Sequence, residues 1–211
     1  MKLHVCPCGP IQTNAYLLTA PERAEAVLVD APQGVWAEIA PLLARERCQL
    51  TNIWLTHAHW DHIQGVEEVV QQTSARLRAH EADRPLHENP EVMSAYALGP
   101  LGLAPLRIDS YAEHGAREKL LGLDCEVRHV PGHCPGSILL HLPAANVAFV
   151  GDAIFRGSVG RTDLPGGDFG ELARSIREQV YTLPTTTQLY PGHGPETDVA
   201  SERAHNAYVH D

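Results

Sequence analysis

No stretch of the chain approaches the roughly 20 consecutive apolar residues that span a bilayer. The N-terminus also lacks the basic start, apolar run and small-residue cleavage site of an export signal. No membrane partner is expected, and the compartment expected is the cytoplasm. Cysteine is sparse and irregularly placed: Cys6, Cys8, Cys48, Cys125 and Cys134 form an odd set, which argues against a disulfide framework and for reduced thiols. Positive charge is short as well. Sixteen Lys and Arg stand against 26 Asp and Glu, a formal net charge of −10, and no basic run could form a stripe, so nucleic acid is not expected as a partner. With no internal repeat, low-complexity tract or linker, one domain spanning residues 1–211 is the economical reading.

What the chain does have is apolar material for a core, 44% of its 211 residues, patterned mostly as short strands. Strands are predicted at Leu3 to Cys6, Ala15 to Thr19, Ala26 to Asp30, Asn52 to Thr56, Cys125 to Val130, Ser137 to Leu142, Val147 to Val150 and Gln188 to Tyr190. Val35, Ile39, Leu42 and Leu43 recur at helical spacing between Gly34 and Arg47; Ile63, Val66, Val69 and Val70 predict a second helix from His62, with Asp61 at its N-terminus, and Gly170 to Tyr181 a third. A strand-rich core with outer helices makes the fold class α/β (α+β). The segment 81–105 carries Pro85, Pro90, Pro100 and Pro105 and supports only short helices or loops. Its composition makes it, with Tyr96, a candidate cover for the functional site.

Thirteen histidines are present, and the informative ones are grouped. Thr56-His57-Ala58-His59-Trp60-Asp61-His62 packs three imidazoles and a carboxylate behind a strand. On an extended loop His57 and His59 point the same way, and the following helical turn presents Asp61 and His62. One metal ion could not readily use all four, so two neighbouring sites are expected, each completed from distant sequence. His133 in Pro131-Gly132-His133, Asp152 in Gly151-Asp152 and His193 in Gly192-His193-Gly194 each sit past a predicted strand and beside glycine, where a turn can aim a side chain into a shared centre. Seven ligands at four strand ends describe a dinuclear centre. Asp61 and Asp152 are its catalytic carboxylates; an aspartate shared between two ions and a bridging water would bring that water's pKa towards neutrality and yield hydroxide. The other histidines, at 4, 80, 87, 114, 129, 141, 205 and 210, lack this setting and read as structural.

The order His-x-His-x-Asp-His followed by His, Asp and His resembles the metallo-β-lactamase fold superfamily over nearly the whole chain. Within it, Gly151-Asp152, Gly160-Arg161-Thr162-Asp163 and Gly192-His193-Gly194 look most like the glyoxalase II group. The resemblance implies an αββα four-layer sandwich. It implies His57, His59, His133 and Asp152 for a first metal, and Asp61, His62, Asp152 and His193 for a second. The cofactors implied are two divalent ions, zinc first, with iron or manganese also tolerated by a carboxylate bridge. The activity implied is hydrolysis of a small thioester, S-lactoylglutathione or another acyl-thioester. Zinc β-lactamases commonly place cysteine or histidine where Asp152 stands. Glyoxalase II proper adds a C-terminal helical domain whose basic residues hold glutathione, and no separate domain of that kind is expected here. Persulfide dioxygenases resemble the same group, and one iron on His57, His133 and Asp152 is the alternative reading.

Arg156 and Arg161, close to Asp152 in sequence, are candidates to bind a substrate carboxylate; Arg161 is equally placed to pair with Asp163. Cys134 follows His133 where such proteins often carry threonine, and is read as a packed side chain ahead of a redox-sensing thiol. Strand alternation puts Cys6 and Cys8 on one face, as core or turn packing.

Overall fold

The computed structural model describes residues 1–97 and 101–210 and builds them around two six-stranded sheets. The first sheet holds β1 (Lys2–Cys8), β2 (Thr13–Ala20), β3 (Glu25–Val29), β4 (Gln49–Trp54), β5 (Arg76–Ala79) and β6 (Ser110–Tyr111), side by side in sequence order. Its first three strands pair antiparallel and the rest pair parallel. The second sheet contains β7 (Arg117–Leu120), β8 (Leu123–His129), β9 (Ile138–Leu142) and β10 (Val147–Gly151). After the hairpin of β11 (Ile154–Phe155) and β12 (Ser158–Val159), it is completed by β13 (Gln188–Pro191) and β14 (Thr197–Asp198), in the order β14-β13-β10-β9-β8-β7. β10 and β13 run parallel.

Both faces of each sheet are covered, which gives the four layers. Along β2, Ala15 and Leu17 pack outward against α1 (Val35–Glu46), while Tyr16, Leu18 and Ala20 pack inward. Along β9, Ile138, Leu140 and Leu142 meet them from the other sheet. The first outer layer is α1, the single turn α2 (Trp60–Ile63) and α3 (Val66–Thr73), followed in the chain by the short α4 (Arg84–Glu88). The opposite outer layer is α5 (Phe169–Ser175), continued by a π-helical turn at Ile176–Val180, and α6 (Val199–His205), which cover Leu139, Ala148, Val150 and Leu189. β14 and α6 follow His193 and close this layer. The αββα sandwich implied by the family resemblance is thus the architecture observed. Among the described residues no helix is long and apolar enough to cross a membrane.

Phe149 sits fully buried between the sheets, its ring 5.1 Å from Tyr16 and 5.6 Å from Tyr190. Phe149→Ala should therefore cost about 3–5 kcal/mol, measurable as a lowered urea midpoint with an unchanged slope.

Three sequence expectations change. The helix expected to run on from His62 is broken into α2 and α3 at Gln64-Gly65, because the backbone there is captured by the neighbouring loop: Gly65 N donates to Ala31 O at 2.7 Å, and Ala31 N donates to His62 O at 2.8 Å. Ile63, Val66 and Val69 still face one core, so apolar spacing alone did not expose the break. β4 ends at Trp54 rather than Thr56, since Thr56 N donates to the Asp30 side chain instead of a neighbouring strand. The third helix loses α geometry after Ser175, where Tyr181 N reaches back five residues to Ile176 O. In the segment 81–105, short helical turns occur at Glu81–Asp83, Arg84–Glu88 and Pro90–Tyr96; Leu98 to Pro100, including the expected breaker Pro100, lie outside the described residues.

Candidate metal centre

Each predicted ligand leaves a strand end. His57, His59, Asp61 and His62 follow β4, His133 follows β8, Asp152 follows β10 and His193 follows β13. The last loop is tied to the opposite sheet: Asn14 N donates to Gly192 O at 2.7 Å, the Asn14 carboxamide donates to Pro191 O and Gly194 O, and Tyr16 OH donates to Pro191 O. Two glycines are required by close approach. A Cβ on Gly192 would lie 2.0 Å from Asp152 Oδ1, and one on Gly132, whose φ is +120°, would lie 2.2 Å from Leu172 N.

All seven side chains come together. His57, His59 and His133 form one group, Asp61, His62 and His193 another, and His57, His62 and Asp152 a third between them; within each group the ligand atoms lie within 4.8 Å of one another. Asp152 stands between the halves, its Oδ1 3.3 Å from His62 Nε2, its Oδ2 3.6 Å from His133 Nε2 and 3.4 Å from His193 Nε2. Asp61 Oδ2 is 3.3 Å from His62 Nε2 and 3.2 Å from His193 Nε2. Atoms bound about 2.1 Å from one tetrahedral ion would stand about 3.4 Å apart, which is the spacing seen here.

The tautomers give an independent test of whether cations suit the site. His133 Nδ1 donates to Arg161 O at 2.7 Å, which leaves its Nε2 as a lone pair. Thr56 Oγ1 spends its proton on Asp30 Oδ2 and so accepts from His57 Nδ1, leaving His57 Nε2 unprotonated too. These two lone pairs face each other at 3.2 Å, and His59 Nδ1 approaches the same His133 nitrogen at 2.8 Å. The facing lone pairs of His57 and His133 repel unless a cation lies between them, and His59 Nε2 is buried with no hydrogen-bond partner among the described residues. The donor set suits divalent metal.

The electrostatics divide along the same line. Burial, reinforced by the neighbouring imidazoles, holds His57 well below the ordinary histidine pKa and brings His59 down to about 3. Burial also lowers His133 against the pull of Asp152. His62 goes the other way: burial opposes its charge, but Asp61, Asp30 and Asp152 outweigh that and raise it well above its ordinary value. His193 rises to about 9 against burial through Asp152 and Asp61. Among protein groups, these two rings supply the positive charge that the buried carboxylates need; a bound cation would take over that task.

Three supporting residues were missed in the sequence. Asp30 accepts from Thr56 N at 2.7 Å, Thr56 Oγ1 at 2.8 Å and His62 Nδ1 at 2.8 Å, and so orients one ligand and the start of the ligand loop. Thr13 Oγ1 donates to Asp61 Oδ2 at 2.7 Å. Asp83, buried, ties together both histidine loops: its Oδ2 accepts from Ala58 N at 2.9 Å and its Oδ1 from Gly136 N at 2.5 Å and Cys134 Sγ at 3.1 Å. Asp30 carried a signal, an acid at a strand end like Asp152; Thr13 and Asp83 did not, since only the tertiary fold brings them near. Asp83→Ala should strand two buried N–H groups, cost about 2–5 kcal/mol and weaken metal retention about 10–100-fold. A calorimetric zinc titration beside a denaturant melt measures both.

Cys134 is the packed thiol expected, buried with its pKa pushed well above the ordinary range by burial and by Asp83. Cys6 and Cys8 share the buried face of β1, as alternation required. The arginines fare differently. Arg161 lines the cleft beside the centre, but its guanidinium is paired with Asp163 at 2.7 and 2.8 Å. Arg156 does not line that cleft; its guanidinium is captured by Glu196 O and faces the surface by Thr197 and Ser201. Its placement as a substrate-carboxylate ligand is therefore corrected: proximity to Asp152 in sequence is undone by the turn after β11. The cleft itself is about 590 Å³, bordered by His59, Asp61, His133, Asp152 and His193 at its floor. Tyr96 and Ala97 of the 81–105 segment reach its rim.

Comparison with known proteins identifies the family and the fold. Residues 8–193 match the Metallo-beta-lactamase superfamily. A probable metallo-hydrolase of Bacillus subtilis, YqgX, is 32% identical over 209 residues, covering 99% of this chain and 98% of its own. The hydroxyacylglutathione hydrolase GloC of Haemophilus influenzae is 30% identical over 211 residues, 99% and 98% covered. Among solved structures, the BLEG-1 B3 metallo-beta-lactamase is 35% identical with a TM-score of 0.88, 99% of each chain covered. TTHA1623 in a di-iron-bound form is 34% identical with a TM-score of 0.86, covering 98% of this chain and 100% of that one.

Proposed function

The chain belongs to the metallo-β-lactamase superfamily, and from that premise we propose that it is a glyoxalase II-like, dinuclear metal-dependent hydrolase of thioesters. The observation that carries the reading is the position of Asp152, a buried carboxylate within 3.6 Å of His133, His62 and His193 at once. The first ion would be held by His57, His59, His133 and Asp152, the second by Asp61, His62, His193 and Asp152. Bound there, divalent cations supply Lewis-acid polarisation of a carbonyl and acidification of water.

The chain's own residues do the positioning. Asp30 fixes the ring of His62, the carbonyl of Arg161 fixes that of His133, and Thr13 fixes the carboxylate of Asp61. No side-chain nucleophile is called for: Cys134, the residue after His133, is turned into the core towards Asp83. The similarity to GloC supports a thioester as the substrate class. Release of thiol from S-lactoylglutathione and a panel of acyl-thioesters, by protein loaded with zinc, iron or manganese, tests the reading. Metal-dependent turnover of at least one is expected; no thiol release from any of them by protein carrying two ions would end it.

The 35% identity to the BLEG-1 structure favours a second reading, hydrolysis of a β-lactam amide at the same centre. Ring opening of a chromogenic cephalosporin is its assay.

A further inference from the structure

The cleft over the metal centre is apolar on its walls, and away from the centre itself its described residues offer no Arg or Lys that lacks a carboxylate partner. Ile11, Trp60, Tyr96, Phe155, Val159 and Leu164 form those walls. Ile11 and Tyr96 keep 43% and 45% of their surface exposed at the rim, and the Phe155 ring lies 5.9 Å from that of His193, so the apolar surface runs from the rim down to a ligand. Among the described lining residues the one Arg or Lys side chain is that of Arg161, and Asp163 pairs with the Nε and Nη2 edge of its guanidinium. Arg156, the nearest other arginine in sequence, is held by Glu196 O on a different face. A substrate tail bearing carboxylates would enter a chain of net charge −10 and, beyond the metal centre, meet among the described lining residues no Arg or Lys that is not already paired with a carboxylate. Desolvating a carboxylate without a partner is costly, whereas each methylene laid on an apolar wall is favourable.

Resting on the thioesterase reading, we infer that the preferred substrate carries an uncharged apolar acyl group, which lies along Phe155, Trp60 and Tyr96 with its carbonyl at the metal centre. Water contributes OH to the acyl carbon, the C–S bond breaks, and the thiol leaves with the remaining proton, giving carboxylic acid and thiol without any redox change. The acid-rich glutathione conjugate is then a poor substrate, and the Arg161–Asp163 pair is what makes it so.

The test uses the metal-loaded protein and thioesters of the neutral thiol N-acetylcysteamine with acetyl, butyryl and hexanoyl groups, beside S-lactoylglutathione. The expected result is a kcat/KM at least tenfold higher for hexanoyl than for acetyl, with hexanoyl also ahead of S-lactoylglutathione. Phe155→Ala should narrow the hexanoyl-to-acetyl ratio, and Asp163→Asn, by freeing Arg161, should raise S-lactoylglutathione relative to hexanoyl. A flat or falling series, or S-lactoylglutathione as the best substrate, overturns the inference while leaving thioester hydrolysis standing. A second readout needs no turnover: calorimetric binding of acetohydroxamate, hexanohydroxamate and a hydroxamate of similar length ending in a carboxylate. Hexanohydroxamate at least tenfold tighter than both others supports the inference even if no thioester is cleaved, in which case the thioesterase reading alone falls. Equal affinities, or tightest binding of the acid-tailed compound, overturn it whatever the kinetic assay shows.

Discussion

Asp152→Ala is expected to lose at least about 10³-fold in kcat/KM and to lower the metal content of both sites together. The reasoning is one of position. A residue that merely orients a ligand is worth about 10–100-fold in affinity or activity, whereas Asp152 places one oxygen beside His62 and the other beside His133 and His193. Its removal takes a carboxylate oxygen from each half of the centre and leaves His57 Nε2 and His133 Nε2 facing each other at 3.2 Å without the carboxylate beside them. The fold should survive, because the packing between the two sheets is carried by apolar residues such as Leu18, Trp54, Leu140 and Phe149 rather than by Asp152; circular dichroism and the urea midpoint check this. Arg156→Ala is the matching control. Its side chain bonds Glu196 O on another face, so activity should stay within about twofold, a surface change of ordinary size. If Asp152→Ala kept both ions and full activity, the bridging assignment would be wrong.

Chelation should have the other large effect. Stripping the ions is expected to abolish turnover and to lower thermal stability, with both restored by added zinc. Each site filled at about a thousandfold above its dissociation constant adds about 4 kcal/mol. For two sites in a domain of this size that corresponds to a drop on the order of 20 °C in Tm on removal. Part of the loss is electrostatic: Asp30, Asp61 and Asp152 are all buried, and without cations their charge must be met by protonating His62 and His193. A differential scan with and without chelator, repeated after adding back metal, reads both effects on one sample.

The seven side chains that converge were legible because each announces itself locally, as an imidazole or carboxylate beside glycine or just past an apolar strand. The four layers were not legible from strand pattern, since β2 is buried at every position and shows no alternation to read; that architecture came from the family resemblance. The break between α2 and α3 escaped because Ile63, Val66 and Val69 keep helical spacing while the backbone between them bonds to Ala31. Asp83 escaped for a different reason. Nothing within a few residues of it hints that Ala58, Cys134 and Gly136, from 25 to 53 positions away, will donate to it. Arg156 misled by nearness in sequence, where the hairpin after Asp152 turns its side chain to another surface.

The most direct test of the dinuclear centre is the metal content per chain, by elemental analysis of protein purified without added metal, read beside its thioesterase activity. Close to two divalent ions per chain, with activity proportional to occupancy, is the result predicted by the convergence of His57, His59 and His133 on one side of Asp152 and Asp61, His62 and His193 on the other. One iron per chain, a second position that stays empty when metal is supplied, and oxygen uptake in place of thioester cleavage would contradict it and assign the centre to the one-iron oxidoreductase reading.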